Sequence, residues 1–418
     1  MKSDWKTDTI ENICVRICSG GTPSRKHPEY YLNGSIPWLN TSEIDFSRIY
    51  KTENKISSIG LKNSSAKWIP TNAVIVAMYG ATAGKVAISG IPLTTNQACC
   101  NLIIDEKYAD YRYVYYYLCH NYIRLSSLAN GGAQQNLSVS LLKNFQIVLP
   151  KVEIQKKIAA VLSALDEKIA INRAINDNLE QQAKEYFKSL FIDFAAYNGE
   201  FVDSPIGVIP ATMEIDQISN IPHTLETGKR PKGGAVEKGV PSIGAENVKQ
   251  LGVVDFSSAK FIPEEFAFSM KRGRIYGYEV LLYKDGGKPG TFIPHFSMFG
   301  EGFPYETCFI NEHVFKLDFG NRGYNEFCYL YLQTDYPFHW LANNGGKAAV
   351  PGINQQDVND IWIPTIHNES VKKFCEWVQP IFTTILSNCS ENVKLANIRD
   401  SLLSRLLSGE IDVSEIEF

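Results

Sequence analysis

Over the first part of the chain, short runs of apolar and β-branched residues alternate with breaks rich in Gly, Pro and Asn. The runs Ala73–Ala77 and Asn101–Ile104 are two examples, and their length and composition predict β-strands. A helical pattern occurs around Tyr111–Leu118, and a similar one returns at Tyr324–Leu332. These patterns predict two globular parts, each of α+β structure.

Each globular part is followed by a long stretch with helical periodicity. The stretches run from Glu153 to about Phe191 and from Glu369 to about Leu407. Apolar residues recur in them at alternating spacings of four and three, which is the a/d pattern of a coiled coil. The seam positions are Ile158, Leu162, Leu165, Ile169, Leu179, Ala183, Tyr186 and Leu190, and Phe374, Val378, Ile381, Ile385, Leu395, Leu402 and Leu406. We expect the helices to pair about a pseudo-twofold axis, as an antiparallel coiled coil.

Polar residues interrupt both seams at matching places. Asn172 and Asn176 occupy seam positions of the first helix, and Asn388 and Asn392 occupy the same positions 216 residues later. A buried Asn costs stability unless a partner amide faces it, so it fixes the register of a helix pair. The four residues are therefore predicted to meet across the axis. In the alternative interpretation, each helix packs on its own globular part and the Asn residues lie at a solvated edge.

The chain repeats itself with a period of roughly 210 residues, which indicates a duplicated architecture. The segment Ile36–Asn40 parallels Val240–Gly244, and Leu128–Gly132 returns as Leu341–Gly346. The predicted divisions are residues 1–150 and 213–364 for the globular parts, 151–195 and 365–410 for the helices, 196–212 for a linker and 411–418 for a tail.

Composition adds little about partners. The 418 residues are 44% hydrophobic and carry a net charge of -4, which suits packed cores and does not indicate a nucleic-acid binder. Basic residues outnumber acidic ones over residues 20–90 and 224–290, so any DNA contact must come from local patches. The polar N-terminus, the absence of a long apolar run and nine cysteines without paired metal-like spacing favour a cytoplasmic protein with reduced thiols and no metal.

The sequence lacks the motifs of the enzymes it could be confused with. Gly80–Lys85 resembles a phosphate-binding loop, but it has one residue too few between its glycines and Val86 in place of Ser or Thr. A strand–turn–strand is the favoured interpretation. No Pro-Pro pair occurs, so the motif with which an amino-group DNA methyltransferase holds its target base is missing. The chain is predicted to be a binding protein without a catalytic residue.

Several short motifs, in the same order in each half, resemble those of the specificity subunits of type I restriction-modification systems. Leu149–Ile158 is similar to the helix-start signature of that family, and Ser189–Phe194 and Ser401–Ile411 resemble its central and C-terminal tails. Ile206–Pro210 resembles the beginning of the second recognition domain. The second helix start departs from the pattern, because Ile363–Ser370 lacks the Gln found at position 155.

The resemblance implies two target recognition domains, each reading one half of a split DNA site, with the helix pair setting their separation. It also implies two methyltransferase subunits that use S-adenosylmethionine, and restriction subunits that use ATP and Mg²⁺, with no cofactor in this chain. Rival interpretations are a methyltransferase or restriction-methylase fragment, and a duplicated coiled-coil scaffold or anti-restriction mimic that binds the methyltransferase subunit but not DNA.

Base and phosphate contacts in such a protein require amide, basic, hydroxyl or acidic side chains on loops. The candidates in the first copy are Arg25, Lys26, Thr41, Ser42, Glu43, Lys85, Gln134, Gln135 and Asn136. Those in the second copy are Lys229, Arg230, Lys232, Glu246, Asn247, Lys288, Lys347 and Asn354. The loop after each Gly-Gly is the strongest candidate, because it differs between the copies as two heads reading different sequences require.

Overall fold

The computed structural model describes residues 5–129, 136–346 and 350–416. Within it the chain forms two compact units, Met1–Glu167 with Leu395–Phe418, and Lys168–Lys394. The divisions fall inside the two long helices, whereas the sequence predicted divisions at the ends of those helices. Each unit therefore contains a globular part together with a segment of both helices.

The first unit consists of short strands and helices followed by the start of a long helix. Its strands are β1 (Lys6–Thr9), β2 (Cys14–Ser19), β3 (Ile36–Leu39), β4 (Arg48–Ile49), β5 (Asn54–Ile56), β6 (Trp68–Ile69), β7 (Val74–Ala77), β8 (Val86–Ser89), β9 (Leu93–Thr95), β10 (Cys99–Ile104) and β11 (Gln146–Leu149). Its helices are α1 (Ser58–Lys62), α2 (Tyr111–His120), α3 (Tyr122–Ala129), α4 (Val139–Lys143) and the first part of α5 (Val152–Phe191).

The strands of the first unit form three sheets. One has the order β2-β10-β7-β8-β4, a second has the order β5-β3-β9-β6, and β1 pairs with β11. Strands β3 and β9 run parallel, whereas β7 and β8 form an antiparallel pair. The Gly80–Lys85 segment therefore joins two antiparallel strands, as the sequence favoured, and does not lead into a helix.

The second unit follows the same plan. Its strands are β12 (Phe201–Ser204), β13 (Gly207–Pro210), β14 (Ile215–Gln217), β15 (Thr224–Thr227), β16 (Val240–Ile243), β17 (Lys260–Ile262), β18 (Val280–Tyr283), β19 (Phe296–Ser297), β20 (Phe309–Ile310), β21 (Val314–Asp318) and β22 (Trp362–Pro364). Its helices are α6 (Glu264–Ser269), α7 (Arg322–Tyr331), α8 (Asp335–Gly345), α9 (Gln355–Asn359) and the first part of α10 (Glu369–Leu407).

The sheets of the second unit repeat those of the first. The order β15-β21-β18-β19 corresponds to β2-β10-β7-β8, β17-β16-β20 corresponds to β5-β3-β9, and β14–β22 corresponds to β1–β11. The pair β16–β20 is parallel like its counterpart β3–β9. The internal repeat of the sequence is thus a repeat of topology, and the hairpin β12–β13 lies in the segment that joins the two copies.

Aromatic packing ties both long helices into the second unit. Phe187 of α5 lies 5.2 Å from Phe327 of α7 between ring centroids, and 5.5 Å from Phe374 of α10. All three rings are almost fully buried. The seam residue Phe374 therefore packs on the globular part as well as on the other helix. The alternative interpretation anticipated packing of this kind for α10, but it did not anticipate that α5 contributes to the core of the second unit.

Different buried amides hold the starts of the two long helices. Gln155 of α5 donates from Nε2 to the carbonyl oxygen of Pro150 at 2.8 Å and accepts from the backbone N–H of Asp110 at 3.0 Å. At the start of α10, Asn368 accepts from the N–H of Glu214 at 2.8 Å and donates to the carbonyl oxygen of Thr365 at 2.8 Å. The missing Gln of the second motif is thus replaced by an Asn that satisfies a comparable set of backbone groups.

One glycine at the end of the first sheet strand is required in each unit. A Cβ atom on Gly20 would lie 2.1 Å from the carbonyl oxygen of Thr95, and one on Gly228 would lie 1.7 Å from that of Ile310. Real Cβ atoms do not approach backbone this closely, so only glycine fits. Thr95 and Ile310 end the corresponding strands β9 and β20.

We predict that Gly20→Ala and Gly228→Ala each lower the free energy of unfolding by about 1–3 kcal/mol, because the added methyl group displaces a neighbouring strand. Urea denaturation of the purified protein measures the change. Gly199→Ala is the control, since its Cβ would meet only the movable ring of Tyr197. Equal stabilities for all three variants would show that the close approach is not a constraint.

Candidate functional site

The ends of several strands converge on one side of the first unit. The backbone N–H of Gly21, after β2, donates to the carbonyl oxygen of Thr95 at 2.8 Å, and the N–H of Asn96 donates to that of Leu39 at 3.0 Å. The N–H of Met78, after β7, donates to the carbonyl oxygen of Ala98 at 2.8 Å. The loops after β2 and β3, the β7–β8 loop and the β9–β10 loop therefore form one surface, which we call the first rim.

Most candidate residues of the first copy belong to the loops of the first rim. Arg25 and Lys26 are exposed in the loop after β2, and Thr41–Glu43 form a short 3-10 turn directly after β3. Lys85 lies in the β7–β8 loop, where its Nζ is 2.7 Å from Asp45 Oδ1. The structure brings these side chains to the same rim although up to 60 residues of sequence separate them.

The loop after the first Gly-Gly is described only in part. Asn136 is exposed and forms an antiparallel bridge with Tyr79, so its backbone meets the β7–β8 loop. The candidates Gln134 and Gln135 lie outside the described residues.

Glu43 has a structural role. Its Oε1 accepts from the backbone N–H of Asn40 at 2.9 Å, and its Oε2 accepts from the N–H of Glu53 at 2.8 Å. Both carboxylate oxygens are therefore engaged with backbone, and the residue closes a capping box at the 3-10 turn. The side chain therefore holds the turn, and the prediction that Glu43 also contacts DNA stays a prediction.

The same convergence occurs in the second unit. The N–H of Gly228 donates to the carbonyl oxygen of Asn311 at 3.2 Å, and the N–H of Asn311 donates to that of Ile243 at 2.9 Å. The N–H of Lys284 donates to the carbonyl oxygen of His313 at 3.0 Å, and that of Ile353 donates to Lys284 at 2.8 Å. We call this surface, with the loops after β15, β16, β18 and β20, the second rim.

The candidates of the second copy divide into exposed and structural residues. Lys229, Arg230, Lys232 and Lys288 are exposed on loops of the second rim, and Lys347 lies outside the described residues. Arg230 NH1 is 3.8 Å from Glu312 Oε1, so it is loosely paired with an acidic residue of the same rim.

Three further candidates of the second copy hold the rim together. Asn247 is only 4% exposed and donates from Nδ2 to the carbonyl oxygen of Asp255 at 3.3 Å. Asn354 caps α9 by accepting from the N–H of Gln356 at 2.7 Å. The carboxylate of Glu246 is 2.9 Å from Lys260 Nζ. These contacts give Asn247, Asn354 and Glu246 structural roles in the rim, and their predicted contacts with DNA stay predictions.

Electrostatics at Glu246 favour the ionised form. Burial acts to raise the pKa of this carboxyl group, but hydrogen bonding and the positive charge of Lys260 lower it below its ordinary value. The residue therefore contributes a negative charge to the second rim that Lys260 neutralises.

A charged cluster on the second rim was missed by sequence reasoning. His313 Nδ1 hydrogen-bonds to Asp285 Oδ1, and its Nε2 is 3.4 Å from Glu312 Oε1. Lys284 donates from Nζ to the carbonyl oxygen of Glu312 at 3.0 Å. These residues lie in the loops after β18 and β20. The internal repeat could have identified the loop after β18, because it corresponds to the β7–β8 loop, which contains the candidate Lys85.

The seam asparagines meet in the second unit. Asn172 donates from Nδ2 to Asn392 Oδ1 at 3.0 Å, and Asn388 donates from Nδ2 to Asn176 Oδ1 at 2.8 Å. The lower-numbered Asn of each helix is thus hydrogen-bonded to the higher-numbered Asn of the other helix.

The hydrogen-bonding groups of the four amides are not satisfied by one another alone. Asn172 also donates to Glu391 Oε2 at 2.6 Å, and Asn176 donates to the carbonyl oxygen of Ile385 at 3.1 Å. Asn172 Oδ1 is buried without a partner among the described residues. The hydrogen bond from Asn172 is the main cause that lowers the pKa of Glu391, and the nearby Lys168 lowers it further.

Arg399, which also interrupts the seam, is explained within the first unit. Its NH1 donates to Asp166 Oδ1 at 2.6 Å, and Tyr116 donates from its hydroxyl to Asp166 Oδ2 at 2.6 Å. Burial acts to lower the pKa of Arg399, but its bonds to Asp166 and Asp400 outweigh it and raise the pKa. The residue is thus charged and paired.

The described residues contain neither a cluster of metal ligands nor a helix that could span a membrane. Within residues 5–129, 136–346 and 350–416, no group of three or more His, Cys, Asp or Glu side chains is arranged to hold a metal ion. In the same part of the chain, no helix combines the length and apolar character of a membrane span.

Comparison with known proteins gives consistent matches. Residues 2–181 match the family model described as type I restriction modification DNA specificity domain. The chain is 28% identical to the type I restriction enzyme MjaIX specificity subunit of Methanocaldococcus jannaschii, over 99% of this chain and 95% of that protein. It is 23% identical to the type I restriction enzyme HindI specificity subunit of Haemophilus influenzae, over 98% of this chain and 100% of that protein.

A solved structure shares the fold. The S subunit of a type I restriction-modification system from M. genitalium superimposes with a TM-score of 0.61 at 18% identity, covering 96% of both chains. At this identity the match concerns the fold, and it extends over both units and both long helices.

We predict that Asn247→Ala lowers the free energy of unfolding by about 1–2 kcal/mol, because it removes the hydrogen bond of an almost fully buried amide and leaves a small cavity in its place. Lys288→Gln, on the same rim but exposed, is the control and should leave stability within about 0.5 kcal/mol of the parent. Thermal or urea denaturation checks both values. If Asn247→Ala were as stable as the control, the side chain of Asn247 would not be needed to hold the rim together.

Proposed function

We propose, from the similarity of this chain to the specificity subunits of type I restriction-modification systems, that it is such a subunit, binds a bipartite DNA sequence and directs methylation to it. Each rim reads one half of the sequence. The chain supplies recognition, and the enzyme activities reside in partner subunits.

The observation that carries this proposal is the repeated rim with different side chains. Corresponding loops project Arg25 and Lys26 in the first unit, and Lys229, Arg230 and Lys232 in the second. Basic side chains on loops can contact both phosphates and the edges of guanine. Because the supporting topology is the same and the exposed residues differ, two heads of this kind would recognise different half-sites.

The long helices act in this proposal as an antiparallel coiled-coil spacer that sets the distance between the half-sites. The bonds of Asn172 with Asn392 and of Asn176 with Asn388 support it, since residue numbers rise along one helix as they fall along the other. The contact of Asp166 with Arg399, made within the first unit, follows the same register.

The partners in this proposal are double-stranded DNA, two methyltransferase subunits and restriction subunits. Adenine would be flipped from the duplex and methylated with S-adenosylmethionine by the methyltransferase subunits. ATP and Mg²⁺ would act in the restriction subunits. This chain would position these enzymes and hold no cofactor.

Exchange of one recognition part tests the proposal. When residues 1–150 are replaced by the recognition domain of a relative, one half of the methylated motif should change while the other half and the gap remain. Sequencing that detects methylated adenines in host DNA gives the result. Exchange of residues 213–364 is the matched control and should change the other half. A change in both halves after either exchange would contradict independent reading by the two rims.

A second prediction concerns the seam. Asn172→Leu should lower the free energy of unfolding by about 1–3 kcal/mol, because it removes the donor to Asn392 Oδ1 from a buried position. Asn178→Leu on an exposed position of the same helix is the control. Replacing Asn172, Asn176, Asn388 and Asn392 together by Leu should cost little stability but loosen the register.

Loss of register has a measurable consequence in this proposal. A slip of one heptad moves a helix by about 10 Å along its axis, from 1.5 Å per residue. That distance corresponds to about three base pairs. The quadruple variant should therefore remain folded and methylate its site poorly or with relaxed spacing. Full methylation at an unchanged gap would show that the asparagines do not fix the register.

A further inference from the structure

Three basic side chains of the second unit surround one small pocket. Lys229, Lys271 and Arg272 line a cavity of about 250 Å³ together with Phe266, Ser269 and Met270. Lys229 comes from the loop after β15, and the other two cations come from the segment after α6. Lys229 is one of the candidates predicted from the sequence, whereas Lys271 and Arg272 are not.

Backbone contacts hold the two segments together on the second rim. The N–H of Gly273 donates to Glu226 Oε2 at 2.8 Å, and the carbonyl oxygen of Gly273 accepts from the N–H of Ile310 at 2.8 Å. Gly273 packs so closely on Gly228 that an added Cβ would lie 3.3 Å from its Cα. Lys271 and Arg272 are therefore fixed beside Lys229 at the end of β20.

The cations of the pocket lack acidic partners. Other basic residues of this unit are paired, such as Lys260 with Glu246 at 2.9 Å and Lys316 with Glu226 at 3.1 Å. In the described part of the chain, none of the three pocket cations has a side chain within ion-pair distance of a carboxylate. The pocket therefore concentrates positive charge and is complementary to an anion.

At the corresponding place of the first unit, small neutral residues replace two of the cations. Trp68 pairs with Thr94 in the first unit, and Arg274 pairs with Phe309 at the equivalent place in the second unit. Three and two residues before these positions, Ser65 and Ala66 therefore correspond to Lys271 and Arg272. A Cβ on Gly21 would lie 2.3 Å from Ala66 N, so the segment packs directly against the glycine turn there. The cationic pocket is a property of the second unit.

We propose that this pocket binds a backbone phosphate of the DNA at the second half-site. The inference rests on the proposed function and deepens it by naming a contact. The Arg272 guanidinium can form two parallel bonds to phosphate oxygens, and the lysines supply point charges. Three cations converge on the pocket, which matches the charge of a phosphate group, whereas a guanine edge offers only neutral acceptors to a single Arg or Lys. The contact strengthens binding without affecting which sequence is read.

The test uses the chain assembled with its methyltransferase subunits and a duplex that carries the methylated motif. Lys271→Gln and Arg272→Gln are combined, and affinity is measured over a series of salt concentrations. Loss of one phosphate contact should lower the slope of log affinity against log salt by about one and weaken binding about tenfold near physiological salt. The methylated motif should remain the same.

Two controls isolate the pocket. Lys372→Gln with Lys373→Gln removes the same charge from exposed positions of α10 and should leave the slope unchanged. Lys271→Arg with Arg272→Lys keeps both charges and should retain the slope of the parent. Size-exclusion chromatography verifies that every variant assembles with the methyltransferase subunits.

The possible outcomes separate this inference from the proposed function. The Gln double variant would overturn the phosphate assignment alone if its complex kept the parental slope and affinity and still bound its motif specifically. A changed motif would overturn it in favour of base reading. Absence of specific binding by the unaltered complex would overturn the proposed function and this inference with it.

Discussion

The architecture of each unit depends on one close backbone approach. After the first strand of the main sheet, the chain crosses the end of a neighbouring sheet with no space for a side chain, at Gly20 over Thr95 and at Gly228 over Ile310. This crossing brings the loop after the first strand next to the ends of the parallel strands β3 and β9, or β16 and β20. Loops that are distant in sequence thereby form a single rim.

The rims combine a fixed frame with exposed side chains. Glu43, Asn247 and Asn354 hold backbone groups of the turns, and their hydrogen bonds fix where the loops begin and end. Arg25, Lys26 and Lys232 project from those loops into solvent. A frame of this kind allows the exposed residues to vary without altering the fold, as the proposed reading of two different half-sites requires.

Much of the architecture could be predicted from the sequence, because helical periodicity and an internal repeat are properties of the sequence itself. The bounds Val152–Phe191 and Glu369–Leu407 agree with the predicted helices to within one residue at each end. The roles of individual polar residues could not be predicted, because an Asn in a turn has the same local pattern whether it is buried, as Asn247 is, or exposed. The pocket lined by Lys271 and Arg272 could not be predicted from the sequence, because its residues meet only through tertiary packing.

In the proposed function, two rims on a duplicated frame read the two halves of one split DNA site. The most direct measurement is the sequence motif that surrounds methylated adenines in a host that expresses this chain with its methyltransferase subunits and has no other adenine methylation. We expect two specific half-sites separated by a gap of fixed length and free sequence. A single uninterrupted motif, or methylation at two half-sites with no fixed spacing, would contradict it.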